Sequence, residues 1–227
     1  MSPLRAIVFD FDGVLANSEP LHFEAFRDVL AGEGVTLGEG DYYSRYLGFD
    51  DVGSFERIAI DCGRRWNADK VRALIEEKAV RMEVLERDRS VLFPGAADIV
   101  RRAAARVPLA IASGALGFEI LRILDREQLT SCFTAIVAAG DTAVSKPSPE
   151  PYLQAVARLR SAVSPSLLES DCAAIEDSVW GLESARRAGL RTVGVAHTYP
   201  GSALDADLIV ESIDRLDVDG LAALWSS

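Results

Sequence analysis

Short apolar runs recur along the chain, and turn residues or acids bound each of them. The clearest run, Leu4 to Phe9, is followed directly by Asp10 and Asp12. Short apolar runs between turn signals predict buried strands. The predicted strands are Leu4 to Phe9, Pro108 to Ala112, Ala135 to Ala139, Cys172 to Ile175, Thr192 to Ala196 and Leu208 to Val210.

Segments of helical length with an apolar face separate these strands. Gly189 follows the last segment, and a glycine in this position commonly ends a helix. Strands that alternate with helices predict an α/β fold, in which helices cover a parallel sheet. The predicted helices of this part of the chain are Ala96 to Arg106, Gly117 to Arg126, Pro151 to Leu159 and Val179 to Ala188.

One stretch, Glu19 to Arg89, departs from this alternation. It has no strand pattern, but it has helical patterns with charged faces, such as Asn67 to Arg87. A stretch of this length is too long to be a loop within a compact domain. We therefore predict a mostly helical domain of residues 16–89, inserted into an α/β core of residues 1–15 and 90–227.

The composition is acidic, with a formal net charge of −11 and an isoelectric point near 4.7. Nucleic acids and anionic membranes attract positive charge, so this composition argues against both as partners. An anionic small molecule also needs a local cation that the overall charge does not supply. If the substrate is anionic, the composition therefore points to a bound metal ion.

The three cysteines are odd in number and have no CxxC spacing, which favours a reducing compartment over a disulfide framework. The N-terminus has no signal-peptide pattern. No apolar stretch approaches the roughly 20 residues that span a bilayer. We expect a cytoplasmic protein, and a monomer.

Asp10 and Asp12 lie in the run Asp10-Phe11-Asp12-Gly13-Val14-Leu15, directly after the first predicted strand. Ligands of open α/β sheets bind outside the carboxyl ends of the strands. Two acids at the end of a buried strand repel each other unless a cation or a shared proton compensates. Mg²⁺ prefers such carboxylate oxygens. The alternative is a pair of loop acids that face solvent.

Ser113 and Gly114 follow the second predicted strand, just before a helical segment. A hydroxyl group and backbone N–H groups in this position form a pocket for anions. The alternative for Ser113 is a simple helix cap.

Lys146 lies between Ser145 and Pro147, where prolines restrict the backbone and can present the ammonium group to a phosphate. Its alternative is a solvated surface lysine.

Glu176 and Asp177 repeat the geometry of the first acid pair, because they follow the predicted strand Cys172 to Ile175. A second acidic strand end supplies a further ligand for a metal ion, so the two motifs support each other. The alternative is that Asp177 or Ser178 caps the helix that follows.

In this order, the four motifs resemble those of the haloacid dehalogenase superfamily, in the branch that has a cap inserted between the first and second motifs. Within that branch, the sequence is similar to phosphoglycolate phosphatases and β-phosphoglucomutases. The resemblance implies a Rossmann-like core with a helical cap that closes over the site. It rests on Asp10 to Ser18, Ser113, Lys146-Pro147 with Pro149, and Glu176-Asp177-Ser178 with Gly181.

The resemblance implies phosphoryl transfer through a covalent intermediate. By this likeness, Asp10 attacks phosphorus, and Asp12 protonates the leaving oxygen and later activates water. The dehalogenases of the superfamily lack the acid that matches Asp12, so its presence favours phosphoryl transfer. Mg²⁺ is then held by the Asp10 side chain, the Asp12 carbonyl and Asp177, with Glu176 as a ligand or as support for one.

Ser113, the N–H group of Gly114, and Lys146 are the phosphate-binding groups that the resemblance implies. The predicted function is therefore a Mg²⁺-dependent phosphatase of small phosphorylated metabolites. The alternatives are a phosphosugar mutase, and a binding module without catalytic activity.

Cap residues set substrate choice in this superfamily. His22 matches a histidine near the hinge of the mutases, whereas Asp51 stands where the mutases carry an arginine for a second phosphate. This departure argues against mutase activity. Arg45 and Lys78 are further candidate substrate contacts, and each can also be a solvated charge on a helix.

Overall fold

A six-stranded parallel sheet forms the centre of the fold, with the strand order β3-β2-β1-β4-β5-β6. The computed structural model describes residues 4–47, 49, 51–87 and 90–225. The sheet and its helices confirm the predicted α/β, Rossmann-like class. The strands are β1 (Ala6–Phe9), β2 (Leu109–Ala112), β3 (Phe133–Val137), β4 (Cys172–Glu176), β5 (Arg191–Val195) and β6 (Leu208–Val210).

The three central strands are buried along their whole length, as expected of a sheet covered on both faces. Phe9 at the end of β1 lies opposite Ile111 in β2 and Ile175 in β4. The carboxyl ends of these strands are therefore level. Residues that follow them in the sequence emerge at one edge of the sheet.

The prediction for the third strand was wrong by two residues. The predicted segment was Ala135 to Ala139, whereas β3 is Phe133–Val137. The backbone N–H of Ala138 donates to the carboxylate of Asp141 instead of to a strand. Small apolar residues look alike in a strand and in such a turn, so the pattern did not show where the strand ends.

Four helices of the α/β part match the predicted segments, with differences at their ends. An apolar core fills the space between the sheet and the last two of these helices, and it includes the buried ring of Tyr152. The side chain of Ser178 caps the last helix, since it accepts the N–H of Gly181. These helices are α5 (Ala96–Ala104), α6 (Gly117–Arg126), α7 (Glu150–Ala162) and α8 (Val179–Arg187).

The chain divides into two compact units, Met1–Asn17 with Val91–Ser227, and Ser18–Ser90. We call the first the core unit and the second the helical unit. The described residues of the helical unit contain no strand. Its helices are α1 (Glu19–Gly32), α2 (Glu39–Asp41), α3 (Asp51–Asp61) and α4 (Ala68–Arg87), with a π-helical turn at Tyr42–Tyr46.

The helical unit has its own apolar core, in which the rings of Phe26 and Phe55 lie 4.8 Å apart. The predicted domain boundaries at residues 16 and 89 stay a prediction, and Arg89 lies outside the described residues. Among the residues that the structure describes, no helix is both long and apolar enough to cross a membrane.

Candidate active site

The predicted residues of the core motifs lie at the carboxyl edge of the sheet. Asp10 follows β1, Ser113 follows β2, and Glu176 is the last residue of β4. The strand order reverses between β1 and β4. Parallel α/β sheets open a crevice for ligands at such a point. The fold therefore brings the separate motifs to one place.

Three carboxylates form a buried cluster at this edge. One oxygen each of Asp10, Glu176 and Asp177 lies within 4.8 Å of the other two. All three residues are buried, and Glu176 is completely so. Like charges at this spacing repel each other strongly when water is excluded. The cluster therefore needs positive charge.

Lys146 supplies part of that positive charge. Its Nζ donates to Asp10 Oδ1 at 2.7 Å and to Glu176 Oε1 at 2.6 Å. The side chain of Lys146 is only 15% exposed, which excludes the alternative of a solvated surface lysine. Burial acts to lower the pKa of Lys146, but Asp10 and Glu176 outweigh it and raise this pKa above its ordinary value.

Glu176 accepts five hydrogen bonds, which occupy both of its carboxylate oxygens. Oε1 accepts from Lys146 Nζ and from the hydroxyl of Tyr152. Oε2 accepts from the backbone N–H groups of Asp177 and Ser178 and from the hydroxyl of Ser178. These hydrogen bonds hold the Glu176 carboxylate in one orientation, and the carboxylate in turn orients the side chains of Lys146, Tyr152 and Ser178.

Tyr152 is a member of the site that the sequence analysis missed. Its ring lies on α7, 5.1 Å from Lys146 Nζ, and its hydroxyl group is 3.1 Å from Glu176 Oε1. Burial raises the pKa of Tyr152 far above its usual value, and the charge of Glu176 adds to this effect. Tyr152 is therefore a hydrogen-bond donor here. In the sequence, Tyr152 is an aromatic residue within a predicted helix, and no motif distinguishes it from residues that only pack in the core.

Two glycines allow the backbone to approach the carboxylates closely. A Cβ atom on Gly13 would lie 2.0 Å from Asp177 Oδ2, and one on Gly181 would lie 1.7 Å from Glu176 Oε1. Both distances are far below van der Waals contact. The site therefore requires glycine at both positions.

The three carboxylates and one ammonium give the cluster a formal charge of −2. Burial raises the pKa of Asp10 well above its usual value; Lys146 opposes this shift, and Glu176 and Asp177 reinforce it. Burial and Glu176 also raise the pKa of Asp177 to about 6. A divalent cation with oxygen ligands balances this charge, so the donor set fits Mg²⁺.

The other predicted residues of the core motifs follow the ends of β1 and β2. Asp12 is partly buried, and its carboxylate is not a member of the group of three. Ser113 is buried, and its Oγ accepts the N–H of Ala115 at 3.1 Å. Because α6 begins only at Gly117, Ser113 is not the cap of that helix. Gly114 is exposed, with open space where a Cβ would be.

The candidate residues of the helical unit form a second charged group. Lys78 is 2% exposed, and its Nζ lies 2.9 Å from His22 Nδ1 and 4.4 Å from the centre of the Phe26 ring. Lys78 also forms an ion pair with Asp51. Burial lowers the pKa of His22 to about 3, and Lys78 contributes to this shift.

Lys78 is thus not the solvated helix charge that the sequence left open. Arg45 lies apart from this group, in ion pairs with Asp41 and Asp61. Gly48 and Asp50, which belong to the predicted specificity turn of the cap, lie outside the described residues.

The chain matches the family of haloacid dehalogenase-like hydrolases over residues 4–189. It is 31% identical over 206 residues to a phosphorylated carbohydrates phosphatase of Thermotoga maritima, and the match covers 88% of this chain and 90% of the relative. It is 29% identical over 227 residues to the β-phosphoglucomutase of Bacillus subtilis, and this match covers 98% of this chain and 96% of the relative.

The structure is similar to that of CbbY from Rhodobacter sphaeroides in complex with xylulose-(1,5)bisphosphate. The TM-score is 0.75 at 25% identity, over 94% of this chain and 96% of that one. These findings confirm the resemblance and the prediction of a phosphoric monoester hydrolase. The chain belongs to the haloacid dehalogenase-like hydrolases, and it is an enzyme of the phosphatase and phosphosugar mutase group within them.

Proposed function

We propose that this protein is a Mg²⁺-dependent phosphatase of small phosphorylated metabolites, and that Asp10 forms an aspartyl phosphate during turnover. The buried group of Asp10, Glu176, Asp177 and Lys146 carries this proposal. Its net formal charge of −2 fits a divalent cation, and Asp10 stands at the carboxyl end of the central strand β1, where ligands of such sheets bind.

In the first step, a carboxylate oxygen of Asp10 attacks phosphorus and the bond from phosphorus to the ester oxygen breaks. Asp12 donates its proton to the leaving oxygen. In the second step, water attacks the phosphorus of the acyl phosphate, and Asp12 takes the proton. Inorganic phosphate leaves, and Asp10 returns to its carboxylate form.

Asp10, the Asp12 carbonyl and Asp177 are the groups that we expect to hold Mg²⁺. Glu176 acts through its neighbours, because hydrogen bonds already occupy both of its oxygens. Bound Mg²⁺ supplies the charge that lets a carboxylate approach an anionic phosphate. Without it, turnover is expected to stop almost completely.

Lys146, Ser113 and the N–H group of Gly114 hold the oxygens of the transferring phosphoryl group in this proposal. Lys146 is a charge fixed in place by two carboxylates and the face of Tyr152. A fixed positive charge stabilises the transition state without having to reorganise during the reaction. The helical unit, residues 18–90, acts as the cap.

We infer a monophosphate substrate, because Asp51 stands where the mutases carry an arginine for a second phosphate. Lys78 is paired with Asp51, at the position where the mutases carry an arginine. A second phosphate that required a cation at the position of Asp51 would instead meet a carboxylate. The named relatives support phosphorylated carbohydrates as the substrate class, since one is a phosphorylated carbohydrates phosphatase.

A phosphosugar mutase is the second candidate, and the similarity to β-phosphoglucomutase over nearly the full chain favours it. The mutase shares the chemistry of Asp10 and Asp12 but returns the phosphoryl group to a sugar. The third alternative, a binding module without catalysis, does not fit the group of enzymes to which the chain belongs.

Release of inorganic phosphate from a panel of phosphorylated metabolites tests the proposal. We expect release with Mg²⁺, almost none with EDTA, and none from Asp10→Asn, which keeps the shape of the side chain but lacks the nucleophile. Circular dichroism controls for folding of the variant. Equal release with and without Mg²⁺, or an active Asp10→Asn variant, would contradict the proposal.

A further inference from the structure

The loop that follows β5 carries a histidine that joins three distant segments of the core unit. His197 Nδ1 lies 2.9 Å from the carbonyl oxygen of Gly13. The backbone N–H of Ile213 donates to His197 Nε2 at 3.2 Å. The imidazole also stacks on Phe93, with 3.8 Å between the ring centres and 25° between the planes.

The two backbone contacts determine the tautomer of this histidine. A backbone N–H can only donate, so Nε2 must carry a lone pair toward Ile213. A carbonyl oxygen can only accept, so Nδ1 must carry the proton toward Gly13. Burial lowers the pKa of His197, while the Gly13 carbonyl and the nearby Asp214 oppose this effect. The neutral Nδ1–H form satisfies both partners at once.

Gly13 is the residue after Asp12, and it lies directly against Asp177. Its left-handed backbone, with φ of 79°, leaves no room for a Cβ because Asp177 Oδ2 occupies that space. Its N–H donates to the carbonyl of Ala16. The N–H of Gly13 is thus bonded within the loop, whereas its carbonyl is bonded to His197, which lies outside the loop.

The next residue in the β5 loop reaches the same carboxylate. The hydroxyl of Thr198 donates to Asp177, which lowers the pKa of that acid against the larger effect of burial. His197 thus contacts Gly13, and Thr198 contacts Asp177. These are the two residues that lie directly against each other. No catalytic motif contains either residue.

We propose that His197 is a positioning residue, which holds the loop that carries Asp12 against the carboxylate of Asp177. It contacts neither substrate nor metal in this proposal. It fixes the Gly13 peptide group and thereby the Asp12 carbonyl, one of the groups expected to hold Mg²⁺, so the inference rests on the proposed function. Residues that orient metal ligands commonly change metal affinity by 10- to 100-fold when they are replaced.

Three variants separate hydrogen bonding from ring packing. His197→Phe keeps a ring on Phe93 and loses both hydrogen bonds. His197→Asn keeps an N–H donor close to the position of Nδ1, and so can serve the Gly13 carbonyl. Phe93→Leu removes the stacking and keeps both hydrogen bonds. Mg²⁺ binding is measured by calorimetry on each folded variant, beside Tm and the kcat for phosphate release.

We expect His197→Phe to weaken Mg²⁺ binding by about tenfold or more and to lower kcat. His197→Asn should recover most of this loss, whereas Phe93→Leu should lower Tm and leave Mg²⁺ affinity unchanged. Wild-type affinity in His197→Phe would overturn the proposal. So would a loss in Phe93→Leu as large as that in His197→Phe, because packing would then explain the effect.

Nitrogen NMR of the wild-type protein gives a second test, which reads the tautomer directly and does not depend on Mg²⁺ binding. The chain has two histidines, so ¹⁵N-histidine labelling gives a spectrum that His197→Asn assigns. We expect a neutral Nδ1–H tautomer for His197, and an Nε2–H tautomer would overturn the proposal. If wild-type protein binds Mg²⁺ but releases no phosphate, the proposed function fails, while the tautomer and the Mg²⁺ affinities still decide the role of His197.

Discussion

At the scale of single residues, close contacts between backbone and carboxylate set the geometry of the site. Glu176 is held by five hydrogen bonds, and Gly181 lies so near to it that no side chain fits between them. Asp177 and Gly13 repeat this arrangement on the neighbouring strand end. Small changes of volume here should therefore move the charged groups.

The first prediction concerns Gly181→Ala. The added methyl group collides with Glu176 Oε1 and must displace either that carboxylate or the start of α8. We expect a loss of about 1–3 kcal/mol in the free energy of unfolding, together with a large loss of phosphate release. Chemical denaturation and a phosphate assay measure the two effects.

The matched control is Gly32→Ala, at the end of α1, where a Cβ meets no atom within 4 Å. This variant should have unchanged stability or a small gain, because alanine favours the helix more than glycine does. A Gly181→Ala enzyme as stable and active as Gly32→Ala would contradict the geometry described here.

The sequence predicted the residues of the site that follow an apolar run, because a strand end is a local signal. Asp10, Ser113 and Glu176 are examples, and all three lie at the carboxyl edge. The sequence did not predict Tyr152 or His197. Their partners are 24 and 184 residues away in the chain, so no local pattern connects them.

At the scale of elements, α1 and α4 of the helical unit share a partly buried charged group. His22 on α1 accepts a hydrogen bond from Lys78 on α4, and Lys78 pairs with Asp51 at the start of α3. The sequence suggested these residues singly, by resemblance. Their pairing needed the structure, because amphipathic periodicity identifies a buried face but not which helices meet there.

The second prediction is a dependence of stability on pH that comes from His22. Its pKa is about 3 in the folded protein and near 6.5 as a free side chain. Below pH 6.5 the unfolded chain binds a proton that the folded chain does not. The free energy of unfolding should therefore fall by up to about 1.4 kcal/mol per pH unit between pH 6.5 and pH 3 from this residue.

His22→Gln removes this dependence, and its side-chain oxygen can still accept from Lys78. Urea unfolding of both proteins should give a difference in stability that changes in favour of the variant as the pH falls from 6.5. Above pH 6.5 the difference should be constant. A constant difference over the whole range would show that His22 binds protons equally well in both states.

Element boundaries show where the sequence pattern stops being informative. The apolar stretch from Phe133 to Ala139 contains both β3 and the turn after it, and the strand ends at Val137. In contrast, β6 was predicted with its observed bounds, Leu208–Val210, because acids and serine flank it. Flanking polar residues, more than apolar content, define a strand end.

At the scale of the whole molecule, an acidic chain presents a buried cluster that needs a cation. The net charge of −11 gives no general attraction for a phosphate ester. In the proposed function, affinity therefore comes from the local arrangement of Lys146 and a divalent ion at the edge of the sheet. The α/β class followed from the alternation of strands and helices, whereas the position of Lys146 between Asp10 and Glu176 required the structure.

The third prediction is that water is the final acceptor of the phosphoryl group. With β-glucose 1-phosphate and a catalytic amount of the bisphosphate, we expect release of inorganic phosphate without glucose 6-phosphate. The reason is that Asp51 stands where the mutases carry an arginine for a second phosphate, and its carboxylate pairs with Lys78. The Bacillus subtilis β-phosphoglucomutase is the positive control, and faster formation of glucose 6-phosphate than of phosphate would identify a mutase.

The central claim is that catalysis passes through a phosphorylated Asp10. Borohydride reduces an acyl phosphate to an alcohol, so quenching the enzyme with borohydride during turnover converts a phosphorylated aspartate to homoserine. Mass spectrometry of the peptide that contains Asp10 should show this conversion with substrate and Mg²⁺, and not with EDTA. Rapid turnover with an unmodified Asp10, or with the conversion at another aspartate, would contradict the account.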